Sequence, residues 1–500
     1  MYIAYDIKGG VEYAKLCISK RNGKTTSKDY INLGRVIDKE QGIYKNRERG
    51  VFTYRISDNT FGKPDASIAL PDNRVKRHEK LILDFGDTFF LNTYLQTEEL
   101  KPSIDAIGYG NPDTLYSMLC YYILCSAANC HADSWWEGNY ARIIYPKANL
   151  TSQRISDFLA AIGDERVQRA FFREYIPYVT KNQGAGTNVL IDSTGLPNNI
   201  HFPLTAISSH NGEISNEVRL IYVTQQETGL PIYFRYCPGN VIDTTTLIHT
   251  MAELKASGVN TKFAILDAGY YDDRNITALY ENKISFVTRL KENRKLYKRL
   301  IAERLQSLEC RGNFVSYGSR YAYIECAECE LVEGYKAYAY IGLDIERKSS
   351  ESRKLFQSAK AQELKDEEVF DKMATQGVFV LVSSRRIAKE KILPTYYMRQ
   401  QIEQIFDIGK NYADMLPLRV QNEDTFRGHL LITFIASVVL KKIQERLKDS
   451  RYNPISLFMN LRNQKCKVYD DLIITQEAFK KANDCYKIFG INCPIEIPNV

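Results

Sequence analysis

Five hundred residues exceed what one hydrophobic core supports, so two to four domains are expected. Hydrophobic residues make up 44% and charged residues 25%, the balance of a soluble globular chain, and the longest apolar run, Leu430 to Leu440, is short of the roughly 20 residues a membrane span needs. The eleven cysteines are scattered and odd in number, which argues against a complete disulfide framework, and a net charge of +7 is compatible with nucleic acid without establishing it. The opening residues, MYIAYDIKGG, lack the basic start and apolar core of a secretory signal, so a cytoplasmic location is expected.

Residues 1–64 carry 13 Lys and Arg against seven Asp and Glu, nearly the excess of the whole chain. Tyr30, Tyr44, Phe52 and Tyr54 alternate with this charge, as a surface that follows phosphates and packs on sugars requires. A mixed-charge domain surface would read the same way, and the sequence leaves the two open. Residues 65–180 read mainly as helix: Leu115 to Ala128 is strongly apolar, and Thr151 to Gly163 and the following ERVQRAFFREYI show caps and helical periodicity. Trp135 and Trp136 fall here and read as packing residues. The pattern then changes to strands at Gly186–Gly195, Glu217–Gln225, Leu230–Cys237, Lys262–Tyr270 and Ile284–Leu290, with helical stretches from Val241 and in DRNITALYEN. Three strands, a helix, a strand, a helix and a strand predict an α/β fold with a mixed sheet over 181–290.

Residues 291–375 open with a basic stretch and continue as a β-meander, NFVSYGSRYAYIECAECELVEGYKAYAYIGLD, before a charged helical run from Glu346 to Lys372. Cys326 and Cys329 lie in that meander; with no second CxxC or suitably spaced histidine, zinc is not expected. Residues 376–445 resume the sheet pattern at Gly377–Ser384 and then turn helical, and 446–500 reads as a helical tail.

Two acids stand at the tips of hydrophobic strands. Asp192 follows VLI and precedes Ser193-Thr194-Gly195; Asp267 follows FAIL and precedes Ala268-Gly269-Tyr270. Acids at the C-terminal ends of buried strands are where α/β sheets place functional groups. Downstream, Tyr396, Arg399, Glu403 and Lys410 are spaced by three, four and seven residues, which on a continuous helix sets all four within roughly 60°. Met398, Ile402, Ile405 and Phe406 form the neighbouring apolar stripe. Alone, this is an amphipathic helix with charges beside its seam. Joined to two strand-end aspartates, Glu403 completes a set of three carboxylates. Such a set suits two-metal phosphodiester chemistry, in which hard oxygen ligands hold Mg²⁺ and leave positions open for water and phosphate. A glycosidase needs only two acids and leaves Arg399 and Lys410 unexplained. No G-x-S-x-G, P-loop or dinucleotide motif is present, so a serine hydrolase or a nucleotide cofactor is not expected. His429, just before the apolar run, reads as structural.

The run Tyr396-YM-Arg399-QQI-Glu403-QIFDIG-Lys410 matches the Tyr-x2-Arg-x3-Glu-x6-Lys signature at every position, and the chain resembles the bacterial insertion-sequence DDE transposases of that class. VLIDSTG and ILDAGY resemble the family's two aspartate motifs, and INLGRVIDKEQGIYKNRERGVF the opening of one long-chain branch. The resemblance implies an RNase H-like catalytic core interrupted by a β-rich insertion, with a basic N-terminal region contacting DNA and a helical region for end binding or dimerisation before the core. It implies Asp192, Asp267 and Glu403 as catalytic residues and ligands of two Mg²⁺ ions, with Mn²⁺ a substitute, and Tyr396, Arg399 and Lys410 as contacts to DNA. The expected partners are double-stranded DNA, as terminal inverted repeats and target, and a second copy of the chain, with no membrane. The expected activity is cleavage at element ends and joining of the 3′-OH to target. An RNase H-like nuclease without strand transfer and a domesticated, inactive DNA-binding protein are the alternatives. The insertion of related enzymes can carry a base-stacking tryptophan; neither tryptophan lies in this one, and the alternation of Tyr317, Tyr321 and Tyr323, the aromatic residues that could substitute, is more simply explained by sheet packing.

Overall fold

The computed structural model describes residues 1–8, 10–22, 25–64, 81–125, 127–181, 187–198, 202–208, 214–362, 369, 372–413, 415–418, 420 and 422–499. Gly186, residues 65–80 and 126 of the expected helical region, and 363–368 and 370–371 of the charged helical run lie outside them. The chain divides into two units, Met1–His78 and Glu79–Val500.

The first unit is an antiparallel sheet in chain order: β1 (Tyr2–Lys8), β2 (Val11–Asn22), β3 (Thr25–Asp38), β4 (Ile43–Asn46), β5 (Gly50–Arg55) and β6 (Thr60–Gly62). Period-two alternation sends Ala14, Leu16, Tyr44, Phe52 and Tyr54 into a small core. The sheet bends at Gly34, where β3 bulges; the residue has φ +88°, and a Cβ there would meet the Lys45 carbonyl oxygen at 2.1 Å.

The second unit begins with β7 (Leu81–Asp84) and a group of helices, among them Pro112–Leu124, Ser152–Ile162 and Glu165–Thr180. Its main sheet contains β8 (Thr187–Pro197), β9 (Ala206–Ser208), β10 (Ser215–Gln225), β11 (Pro231–Pro238), β12 (Thr261–Leu266), β13 (Ser285–Arg289), β14 (Phe314–Tyr317), β15 (Arg320–Val332), β16 (Tyr335–Asp344) and β17 (Val378–Ser383). The spatial order is β11-β10-β8-β12-β13-β17-β16-β15-β14, with β9 on β10. β8, β10 and β11 form an antiparallel meander, while β12 and β13 join parallel after helical crossovers. Third, second, first, fourth and fifth strands side by side make the RNase H-like mixed α/β core expected. The meander of the insertion extends this same sheet through β16–β17 pairing. Unpaired strand edges favour that outcome, since each added strand satisfies the backbone groups of the last.

The apolar run lies in the Glu423–Arg446 helix, whose residues from Phe426 to Leu440 are almost all buried. Among the described residues no helix is long and apolar enough to cross a membrane. The C-terminal region departs from the expected helical tail. Alongside the Pro454–Arg462 and Lys480–Phe489 helices it supplies β18 (Lys465–Val468), β19 (Leu472–Thr475) and β20 (Glu496–Pro498), which pair with β7 in the order β20-β19-β18-β7. Alternating Cys466, Val468 and Ile473 bury against Leu83 and Phe85, so partners distant in sequence decide the strand state.

Candidate active site

The two aspartates are neighbours because of strand register. In the parallel β8–β12 pair the last match is Ile191 with Leu266, so Asp192 and Asp267 occupy the next position on adjacent strands. Asp192 does not end its strand as expected. β8 continues to Pro197 on β10, where Asp192 faces Tyr222. What stops there is β12, and that leaves the β12 side of Asp192 open. Asp267 follows β12 directly and leads into the short Ala268–Tyr270 turn of helix.

The signature run is also not one helix. It forms two, Lys389–Tyr397 and Gln400–Tyr412, joined at Met398 and Arg399. Backbone bonding there shortens to the i−3 pattern: Arg399 N–H donates to Tyr396 O, Gln401 N–H to Met398 O and Ile402 N–H to Arg399 O. Two apolar seams explain the break. Ile392, Leu393 and Tyr396 pack with Phe263, Tyr340 and Leu381. Ile402, Ile405 and Phe406 join the larger core, Phe406 stacking on Tyr222 at 5.3 Å. On a straight helix these seams point about 130° apart, so both cannot be buried without a bend.

The bend sets Arg399 among all three acids. Its Nη1 is 2.7 Å from Asp267 Oδ1 and 3.3 Å from Asp192 Oδ2, and its Nη2 is 3.1 Å from Glu403 Oε1. Burial pushes the Asp192 carboxyl up to about 7; the nearby Asp267 charge adds to this and the Arg399 charge opposes it. Burial works against the charge of Arg399 too, yet the acids around it hold its pKa above the usual arginine value. Glu403, with half its side chain exposed, is the open edge of the group.

The other two signature residues sit apart from this cluster. Tyr396 is buried in the core beneath Arg399, its hydroxyl pushed up to about 12 by burial. Lys410 reaches β8 beyond Asp192, donating to Thr194 Oγ1 at 2.6 Å and to Gly195 O at 3.0 Å; burial lowers its pKa and Glu217 opposes the shift.

Sequence reading missed a buried polar group behind β8. Ser193 Oγ donates to Asp243 Oδ1 at 2.6 Å, and Arg219 Nη1 donates to the same oxygen at 2.9 Å. Glu217, wholly buried, lies 4.0 Å from Arg219 Nη2. The signal for Glu217 and Arg219 is charge in an otherwise apolar strand; Asp243 opens a helix, where an acid is ordinary and gives no such signal. A second omission is Arg289 and Arg347, which line a cavity of about 140 Å³ together with Asp267, Tyr396, Tyr397 and Arg399. Arg289 ends β13 as the aspartates end their paired stretches, a signal that was available.

Of the residues read as structural, His429 is buried between the Tyr122 hydroxyl (2.8 Å from Nδ1) and Met415 O (3.1 Å from Nε2). Cys326 and Cys329 sit at positions of opposite parity on β15 and pack into different cores, so they do not converge on one ion. Among the described residues no three His, Cys, Asp or Glu side chains are placed to enclose one metal ion. Arg399 stands amid the acids. The donor set of three carboxylates nevertheless has the hard oxygen chemistry that Mg²⁺ or Mn²⁺ takes.

The RNase H-like sheet thus carries acids at adjacent positions of two parallel strands, with a third acid on a later helix. The transposase DDE domain model matches residues 185–439, more than half the chain, and the chain belongs to that family. No curated protein matches it. Among solved structures, the chain is similar to a piggyBac transposase in a synaptic complex with hairpin DNA, determined by cryo-EM. Identity is 11%, coverage 75% of this chain and 79% of that one, and the TM-score is 0.41.

Proposed function

We propose that this chain is the transposase of an insertion sequence of the Tyr-x2-Arg-x3-Glu-x6-Lys class, which binds terminal inverted repeats, cuts DNA at the element ends and joins the 3′-OH to target DNA. The observation that carries the reading is the convergence of Asp192, Asp267 and Glu403 on the single guanidinium of Arg399. Three acids in one place, one of them with a raised pKa, are unfavourable without cationic company. Arg399 supplies that charge from a bend in the chain, beside a cavity with two further arginines.

Asp192, Asp267 and Glu403 would hold two divalent ions, Mg²⁺ by resemblance and Mn²⁺ as a substitute, which when bound supply charge neutralisation at the phosphate and an activated oxygen nucleophile. Arg399 is the cation within reach of all three acids, so its release from them and its engagement of a DNA phosphate are one movement; its planar fork suits a phosphate as well as carboxylates. Lys410 orients the β8 segment after Asp192 from a partly buried position, and a DNA role for it requires exchange of the Thr194 contact for phosphate. Tyr396 supports Arg399 from below. The basic first unit contacts DNA, the helical region before the core binds ends or a second copy, and the active species on DNA is a homodimer or larger, since two ends must be held together. A cytoplasmic, nucleoid-associated location follows from that role.

The test is incubation of the whole protein with Mg²⁺ and labelled duplex DNA ending in the inverted repeats that flank its gene. Cleavage and joining are expected, and both should vanish in Asp192→Asn and Glu403→Gln. Cleavage without joining would replace strand transfer with a nuclease role. Binding with no cleavage in any divalent metal would leave only a DNA-binding protein.

A further inference from the structure

The first unit has two faces of different chemistry. On the core side the charges are paired: Lys20 with Asp29 at 3.1 Å and Lys39 with Glu12 at 2.8 Å. The opposite face follows from register. Tyr13, Lys15, Cys17 and Ser19 alternate along one side of β2. Their direct partners on β3 are Arg35, Asn32, Tyr30 and Lys28, and Cys17 faces Tyr2 on β1. Opposed residues share a face, so Tyr2, Tyr13, Tyr30, Lys15, Lys28 and Arg35 are displayed together.

Their environment is unusual for tyrosine. Tyr2, Tyr13 and Tyr30 are 50%, 40% and 59% exposed, while Cys17 between two of them is buried. Lys15 lies 5.6 Å from the Tyr30 ring centre, and none of Lys15, Lys28 or Arg35 pairs with an acid among the described residues. Asp6, which shares the Tyr13 row, is 3.8 Å from Lys8. Large aromatic rings held in water beside unpaired cations bring a cost that a partner would relieve. That partner must be anionic and present flat or apolar surface between its charges. A nucleic-acid backbone does both, through phosphates and sugars.

We infer that this face of the β1–β3 sheet is a docking surface for double-stranded DNA, with Lys15, Lys28 and Arg35 on phosphates and Tyr2, Tyr13 and Tyr30 against the sugars. The choice of DNA rests on the transposase reading; the face itself rests on the charge asymmetry of the sheet. Removing one cation from a phosphate should reduce the slope of log affinity against log salt by about 0.9.

The experiment measures binding of the full chain to fluorescent duplex DNA carrying the element end, by anisotropy across a salt series. The Lys15→Ala/Lys28→Ala/Arg35→Ala variant should bind at least tenfold more weakly, with the salt slope reduced by about 2 to 3. Tyr13→Ala/Tyr30→Ala should weaken binding several-fold and leave the slope unchanged. Lys20→Ala, on the core side, should behave as the unaltered chain. Circular dichroism melts check that the variants fold; the substituted side chains are exposed, so unaltered melts are expected. Unchanged affinity and slope in the triple variant overturns the proposal, as does an equal effect in Lys20→Ala or stronger binding to RNA duplex than to DNA. If the unaltered chain binds through this face yet cleaves nothing, strand transfer fails while the face stands. If it cleaves and the triple variant binds normally, the reverse holds.

Discussion

Arg399 gathers the acids because a guanidinium has two separate terminal nitrogens in a fixed plane, and here they serve different carboxylates. Lysine concentrates its charge at one point and cannot span the group. Arg399→Lys should therefore lower end cleavage about 10- to 100-fold in a single-turnover assay; a rate within twofold of the unaltered protein would show that the fork is not needed. Asp192 gives a prediction with a defined sign. Its folded pKa of about 7 exceeds the ordinary carboxylate value, so between about pH 4 and 7 the folded chain keeps a proton that the unfolded chain has released. Stability from this group is thus greatest below the unfolded value, declines as pH rises to 7 and remains reduced above it. In metal-free buffer at pH 8, Asp192→Asn should stabilise the fold by about 1–3 kcal/mol, with little gain near pH 4. Calorimetric melts at the two pH values decide it, and an equal shift at both would refute the charge argument. All three acids were legible in sequence as candidates because each ends or follows a recognisable apolar pattern. That Arg399 touches every one of them was not, because only Glu403 is its helical neighbour, while Asp267 and Asp192 lie more than a hundred and more than two hundred residues away in the chain.

At the scale of elements, the site is made by where regular structure stops. β12 ends one residue before the β8 position of Asp192 would need a partner, and the signature helix bends where its two seams diverge. Strand periodicity located β8, β10, β11, β12 and β13, since buried strands of this kind are continuous apolar runs. The spacing of Tyr396, Arg399, Glu403 and Lys410 and the stripe Met398, Ile402, Ile405 and Phe406 both suit one continuous helix. Its apolar positions, Ile392, Leu393 and Tyr396 against Ile402, Ile405 and Phe406, carried the sign of a bend, but two different cores are required to interpret it. The strand after Asp192 is held closely from behind: a Cβ on Gly195 would come within 2.0 Å of Glu217 Oε2. Gly195→Ala should cost about 1–3 kcal/mol in urea unfolding and also lower cleavage, because relief requires β8 to shift next to Asp192. Unaltered stability would mean that Glu217 moves aside freely.

At the scale of the molecule, the second unit closes on itself through a sheet built from both of its ends. β7 pairs with β18, and Ile473 on β19 is fully buried in the cluster beneath them. Ile473→Ala should destabilise the protein by about 2–5 kcal/mol in equilibrium denaturation, an effect that an independent, loosely attached tail would not show. The sequence by itself determined the chain order of strands and helices in the RNase H-like core and marked Asp192, Asp267 and Glu403 as candidate site residues, because these readings depend on local periodicity and spacing. Only the tertiary structure decided that β8 runs past Asp192, that the signature helix bends at Arg399, that the insertion strands extend the main sheet and that the C-terminal region is partly strand. Each of those outcomes is set by pairing and burial between distant segments, and no local window of sequence contains both partners.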